Sequence, residues 1–175
     1  MNRYDAIILG AGGAGLMCAA VAGQHGCKVL LLDHAGEPGK KILISGGGRC
    51  NFTNLNTPPE AYLSANRHFA KSALKRYTPQ DFIALIERHK IAWHEKTLGQ
   101  LFCDGSARQI VKMLLDECAA GQVDLRIGHG VRELEHADGR FRIGFGENTA
   151  SAPALVIATG GPSIPKMGAT GYAYD

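Results

Sequence analysis

Gly10-Ala11-Gly12-Gly13-Ala14-Gly15 follows directly on the apolar run Ala6-Ile7-Ile8-Leu9, and an acid, Asp33, closes the next apolar run. Glycines at this spacing let a parallel strand end, the backbone turn, and a helix begin with its unpaired N–H groups aimed at a pyrophosphate. Gly10 suits the tight turn, Gly12 the close approach of phosphates, and Gly15 the packing of helix on strand. Asp33 lies 18 residues after Gly15. A carboxylate there accepts hydrogen bonds from ribose hydroxyls and repels a 2′-phosphate, which favours an unphosphorylated adenosine. The expected site is one for a dinucleotide, and His34, directly after the acid, is placed beside it. In the blander alternative this is an ordinary βαβ turn and Asp33 a solvated strand end.

The elements that must hold these residues are readable from periodicity. Ala6 to Leu9 and Lys28 to Asp33 are apolar without alternation, the pattern of parallel strands buried on both faces, and a helix spans about Gly13 to Gly26. Residues 60–76 suggest one or two short helices. Thr78 caps a stronger helix that starts at Pro79 and runs to His89, and Ser106 caps another over 106–120. Trp93 to Cys103 reads as a strand pair turning at Leu98-Gly99. Val123 to Ile127 alternates, as do the residues around Phe141, Ile143 and Phe145 beyond an Asp138-Gly139 turn, so an antiparallel meander is expected there. Ala154 to Ile157 is again a parallel-type strand, running into the turn Ala158-Thr159-Gly160-Gly161.

Composition narrows the class. The chain has 175 residues, 45% of them hydrophobic, enough for one domain with a proper core. Its +3 charge comes from 19 basic and 16 acidic residues strung along the sequence without a block of one sign, which argues against a nucleic-acid tail. The five cysteines are odd in number and lack a CxxC pair, so neither a disulfide framework nor a zinc site is expected, and a reducing cytoplasm fits. No apolar run has the length of a membrane span. Among 23 glycines, clusters at 10–15, 46–48 and 160–161 mark loops built for close backbone approach.

The middle cluster is the unusual one. Gly39-Lys40-Lys41-Ile42-Leu43-Ile44-Ser45-Gly46-Gly47-Gly48-Arg49-Cys50-Asn51-Phe52-Thr53-Asn54 has no counterpart in an ordinary dehydrogenase, and its loop puts a fixed guanidinium beside backbone N–H groups that can approach a phosphate or an aromatic ring. Together with Trp93-His94-Glu95, Leu98-Gly99-Gln100-Leu101-Phe102 and Ala158-Thr159-Gly160-Gly161, this segment resembles the BaiN/YhiN-like family of bacterial FAD-dependent oxidoreductases, some of them labelled aminoacetone oxidases. Many members carry proline where this chain has Cys103.

The resemblance implies a Rossmann-like α/β FAD-binding domain, a parallel sheet with helices plus an antiparallel β-meander. In it Gly10, Gly12, Gly13, Ala14 and Gly15 hold the pyrophosphate and Asp33 the adenosine ribose. Lys41 and the loop Gly47, Gly48, Arg49, Cys50 and Asn51 pass along the ribityl chain and the flavin ring. The backbone near Val131 meets the adenine, and Ala158, Thr159, Gly160 and Gly161 close over the cofactor. The implied activity is hydride transfer to flavin N5, with reoxidation by oxygen or another acceptor. Its partners are a small-molecule substrate and NAD(P)H or oxygen, without nucleic acid or membrane. Arg49 is the cation expected to favour reduced flavin, Cys50 is expected to be packed rather than catalytic, and His94 to be a hydrogen-bonded strand residue. No catalytic acid or base is named.

Two alternatives share the first glycine turn: an NAD-dependent dehydrogenase domain, and a nucleotide-binding module without catalysis. Family members are more than twice this length, and the chain stops at Tyr172-Ala173-Tyr174-Asp175 within a segment that they continue. Residues 1–175 are therefore expected to be the N-terminal portion of the FAD domain, truncated before the substrate domain and the returning C-terminal FAD segment. The 175-residue chain alone should retain FAD weakly and turn nothing over; a visible absorption spectrum after removal of excess FAD, followed by substrate addition, checks both.

Overall fold

The computed structural model describes residues 1–161. In chain order these form β1 (Asn2–Arg3), β2 (Ala6–Leu9), α1 (Gly13–Gln24), β3 (Val29–Asp33), the short helix α2 (Lys40–Ile44), β4 (Asn51–Asn54), α3 (Lys71–Arg76), α4 (Pro79–Arg88), β5 (Trp93–Glu95) and β6 (Gln100–Cys103). The long helix α5 (Ala107–Ala120) then leads to β7 (Asp124–Ile127), β8 (Val131–Ala137), β9 (Arg140–Phe145), β10 (Asn148–Ala152) and β11 (Ala154–Ile157). Two compact units divide the described residues: 1–42 together with 114–161, and 43–113.

In the first unit a four-stranded parallel sheet runs in the order β11-β2-β3-β7. Its central strands are apolar at every position but Asp33, the last of β3, because both faces are covered. Ile7, Leu9, Leu30 and Leu32 share one core with Tyr4, Ile143, Phe145, Ala150 and Ala152. Strand alternation turns Ile8 and Leu31 to the opposite face, where both are fully buried. Each such side chain contributes about 1.5–3 kcal/mol by leaving water. Helix α1 packs along β2 and β3 through Leu16, Ala19 and Ala20. The C-terminal half of α5 lies close against α1: a Cβ on Gly23 would collide with the Gly121 carbonyl, Cys118 Sγ donates to Leu16 O at 3.3 Å, and Gln24 Nε2 donates to Glu117 Oε2 at 2.8 Å.

The second sheet of this unit, β1-β10-β9-β8, is the expected meander with β1 added in parallel to β10. Asp138 and Gly139 both have positive φ, 53° and 69°, as a two-residue hairpin turn between β8 and β9 requires. Val123 to Ile127 does not join the meander, contrary to its alternating pattern. As β7 it pairs in parallel with β3, Leu31 opposite Leu125. Its alternation reflects its place at the sheet edge, where one side of the strand meets solvent. There Asp124 accepts from Tyr4 Oη at 2.6 Å and from Arg126 Nε at 2.7 Å.

The second unit holds a three-stranded antiparallel sheet, β4-β6-β5. Leu98 and Gly99, at φ 53° and 78°, turn β5 into β6 where the sequence places the turn. Residues 51–54, read as the end of a loop, are instead strand β4, and Phe52 carries its packing: its ring lies 6.0 Å from Phe82 and 6.3 Å from Trp93, centroid to centroid. Helix α4 opens with a capping box, in which Asp81 N donates to Thr78 Oγ1 at 3.3 Å and Thr78 N donates to Asp81 Oδ2 at 2.7 Å. Between Glu60 and Tyr77 only the six-residue α3 and a 3-10 turn at Pro59–Ala61 form. No helix among the described residues is long and apolar enough to cross a membrane.

Thr78→Ala removes one half of the capping box and should lower stability by about 1 kcal/mol, seen as a lower urea midpoint with an unchanged slope.

Candidate functional site

A cavity of about 330 Å³ opens in the first unit where β2, β3 and β11 end and α1 begins. All its lining residues come from that unit. The strand ends are held level by Gly10 N donating to Leu32 O at 2.7 Å and Ala158 N donating to Leu9 O at 2.8 Å. Gly10 sits at φ 104°, and a Cβ there would lie 2.5 Å from the Ala158 carbonyl oxygen. A Cβ on Gly15 would collide with the Gly10 carbonyl. Both positions thus take only glycine, for packing.

Gly12 and Gly13 have a different reason. A Cβ on Gly12 would meet nothing within 4 Å, and one on Gly13 only Ile42 Cδ1 at 3.7 Å. The first turn of α1 carries no side-chain cap and no acidic residue. Its N–H groups and the positive end of its dipole therefore face the cavity uncompensated, an arrangement that takes an anion.

Asp33 lines the cavity beside this helix end. Its Oδ2 accepts from Ala11 N at 2.6 Å and its Oδ1 from Ala35 N at 2.8 Å, while His34 Nδ1 stands 3.7 Å from Oδ1. The carboxylate braces the glycine turn and, with two lone pairs on each oxygen, keeps acceptor capacity toward the cavity. Gly39 N donates to Ala11 O at 2.8 Å and brings Lys40 and Lys41 to the rim. Lys41 Nζ reaches Gly161 O at 3.4 Å. Among the described residues Thr159 Oγ1 is buried without a hydrogen-bond partner, a polar group that a ligand can satisfy.

Of the residues singled out from the sequence, Gly10, Gly12, Gly13, Ala14, Asp33, His34, Lys41, Val131, Ala158, Thr159 and Gly160 line this one cavity, Gly15 packs beneath it, and Gly161 touches it through Lys41. His129 and Gly130 also line it and were not foreseen. They are brought in by Gly128 N donating to Ala35 O and His129 N to Asp33 O, both at 2.9 Å, and the glycines at 128 and 130 were the available signal. Gly47, Gly48, Arg49, Cys50 and Asn51 belong to the second unit and are not in the lining. There Gly46 and Gly47 have φ of 59° and 68°, and a Cβ on Gly46 would lie 2.6 Å from the Phe102 ring. His94, half exposed, has its Nδ1 2.6 Å from Asp104 Oδ1 and its ring stacked on Phe102. The segment Tyr172 to Asp175 lies outside the described residues.

The parallel sheet, glycine turn, open helix end and strand-end acid define a Rossmann domain of the FAD-binding oxidoreductase type. A solved mutant of the halogenase PltM in complex with FAD superposes with a TM-score of 0.57 at 18% identity, over 94% of this chain and 36% of that one. Residues 4–175 match the HI0933-like protein Rossmann domain, and the chain belongs to that family. It is 56% identical over 174 residues to the ribosomal RNA dihydrouridine synthase of Escherichia coli, covering 99% of this chain and 44% of the relative. To the protein of the same name from Haemophilus influenzae it is 46% identical over 180 residues, covering 100% and 45%. The chain thus spans less than half the length of these relatives.

The thiols of this chain differ in burial: Cys50, Cys103 and Cys118 are buried and Cys18 is half-buried. Burial pushes Cys50 up to about 12, with the neighbouring Cys103 adding to the shift, and likewise pushes Cys103 and Cys118 to about 11. Cys27 is exposed. At pH 8 iodoacetamide should modify Cys27 in the native protein and leave Cys50, Cys103 and Cys118 intact until denaturant is added, a difference read by peptide mass spectrometry.

Proposed function

We propose that this chain is the N-terminal, FAD-binding part of a flavin-dependent oxidoreductase that reduces uridine in ribosomal RNA to dihydrouridine. The observation that carries the cofactor assignment is the uncapped start of α1 opening, beside Asp33, into a cavity whose glycines leave room for a phosphate. The substrate assignment is supported by the names of relatives 56% and 46% identical over the whole chain. It replaces the expected small molecule with an RNA base. Dihydrouridine has two more hydrogens across one ring bond than uridine, so the conversion is a two-electron reduction.

When bound, FAD would supply the hydride-transfer chemistry between a reductant such as NAD(P)H and the acceptor. The chain's own residues do the holding. N–H groups of Gly12, Gly13 and Ala14 receive the pyrophosphate at the positive end of α1. Asp33 accepts from the ribose, and its charge disfavours a 2′-phosphate. The backbone around Val131 meets the adenine edge, Lys41 reaches toward the phosphates or ribityl hydroxyls, and Thr159 gives its unpartnered hydroxyl to the cofactor. Gly47, Gly48, Arg49, Cys50 and Asn51 are assigned to the ribityl and ring portion by family resemblance, with Arg49 as the cation that favours the reduced ring. The substrate domain and the last FAD-binding segment come from the remaining length of the complete polypeptide.

The test uses that complete polypeptide. Gly12→Asp fits sterically and is a good N-cap, so the fold should hold, yet it sets a carboxylate where the pyrophosphate belongs. Flavin absorbance should be lost, and ribosomal RNA from cells carrying only this variant should lack the dihydrouridine that wild type restores. Asp33→Asn sets an amide NH2 against the N–H of Ala11 or Ala35 and removes the charge offered to the ribose, and should loosen FAD by about tenfold or more. A flavin-loaded wild type that leaves the dihydrouridine content of ribosomal RNA unchanged would sink the substrate assignment and leave the cofactor assignment standing.

A further inference from the structure

We infer that the exposed stretch from Tyr62 to Arg76 in the second unit is an RNA-docking surface, its cations taking phosphates and its rings stacking on unpaired bases; the inference rests on the reading of ribosomal RNA as substrate. Charge is sorted between the units although it is evenly strung along the sequence. Residues 43–113 carry ten Lys and Arg against five Asp and Glu, net +5, whereas the rest of the chain carries nine against eleven, net −2. Four of the ten cations, Arg67, Lys71, Lys75 and Arg76, fall within ten residues. None of the four makes an ion pair among the described residues. Lys71 and Lys75 are one helical turn apart on α3, on the same face.

Aromatic surface lies between these charges. Phe69 is 54% exposed and Tyr62 40%, and Leu63 beside Tyr62 is 94% exposed. From Ala61 to Tyr77 only Ala70 is buried and only Leu74 half-buried. Apolar side chains left in water at this density mark a surface that meets something. Exposed leucine and phenylalanine alone would suit a protein partner. Four unpaired cations among them favour a polyanion with accessible rings, and single-stranded RNA joins both in one ligand: a charged backbone, and bases whose faces stack on aromatic side chains. A uridine presented for reduction must have its ring faces free, so the RNA around it is unstacked locally.

The test is binding of the complete, FAD-loaded polypeptide to deproteinised bacterial ribosomal RNA across a salt series. Wild type should bind with a steep salt dependence. Lys71→Gln/Lys75→Gln/Arg76→Gln should weaken binding about tenfold or more and reduce the slope of log K against log salt by about 2, the value for three single-strand phosphate contacts. Phe69→Ala should weaken binding by roughly tenfold with the slope unchanged, the signature of a lost stack. Retained flavin absorbance shows that each variant is folded. Ultraviolet crosslinking of wild type should map to peptides within 62–76. Variants that bind like wild type, or crosslinks confined to other peptides, overturn this surface and leave RNA as substrate; the surface is then covered by the remaining length of the polypeptide or by another protein. A wild type that binds no ribosomal RNA overturns the substrate reading and the surface with it.

Discussion

Three backbones meet at Gly10 with no space for a side chain. The end of β2, the start of α1 and the end of β11 approach so closely that a Cβ on Gly10 would press on the Ala158 carbonyl, and one on Gly15 on the carbonyl of Gly10. This contact sets the direction in which α1 leaves the sheet and brings the strand ends level. The N-cap itself, Gly12, stands outside this contact: a Cβ there would meet nothing within 4 Å, so the helix N-terminus is bare where a side chain would fit, and the space is open to a ligand. The packing contact thus aims the helix end, and the open glycines beside it leave room for the anion.

Asp33 makes the cradle rigid. Aspartate is short for reaching across to a ribose, and here it grips the turn itself, through Ala11 N at 2.6 Å, and its own following loop, through Ala35 N at 2.8 Å. The same loop is tied to Gly128 and His129, so one carboxylate connects the glycine turn, the end of β3 and the approach to β8. A site braced in this way does not need to be ordered by its ligand, and less of the binding free energy is spent on arranging it.

What could be read from the sequence was what is local. The turn at Gly10 to Gly15, the acid at 33, the cap at Thr78 and the hairpin turns at Leu98-Gly99 and Asp138-Gly139 each depend on a few adjacent residues with narrow backbone demands. Pairing between distant strands was not local. Asp124 to Ile127 alternates because it is an edge, and alternation does not tell a parallel edge strand from a meander strand. Strand β4 was hidden by its bulge at Phe52, which interrupts the two-residue period. His129 and Gly130 reach the cavity only because the chain returns past the end of β3, and the charge sorting is invisible in a linear reading because one unit is inserted within the other.

The insertion has a consequence for synthesis. Strand β2 has β3 on one side within 30 residues, but its other neighbour, β11, begins at Ala154. At ribosomal rates of about 5–20 residues per second, roughly seven to thirty seconds pass before that partner emerges. Throughout this interval the apolar edge of Ala6 to Leu9 stands open, a template for pairing with another chain. The glycine turn beside it also lacks the Ala158 carbonyl against which it closes. Order in the nucleotide cradle therefore waits for Ala154 to Ala158, and the first unit is open to misassembly while the second is being made.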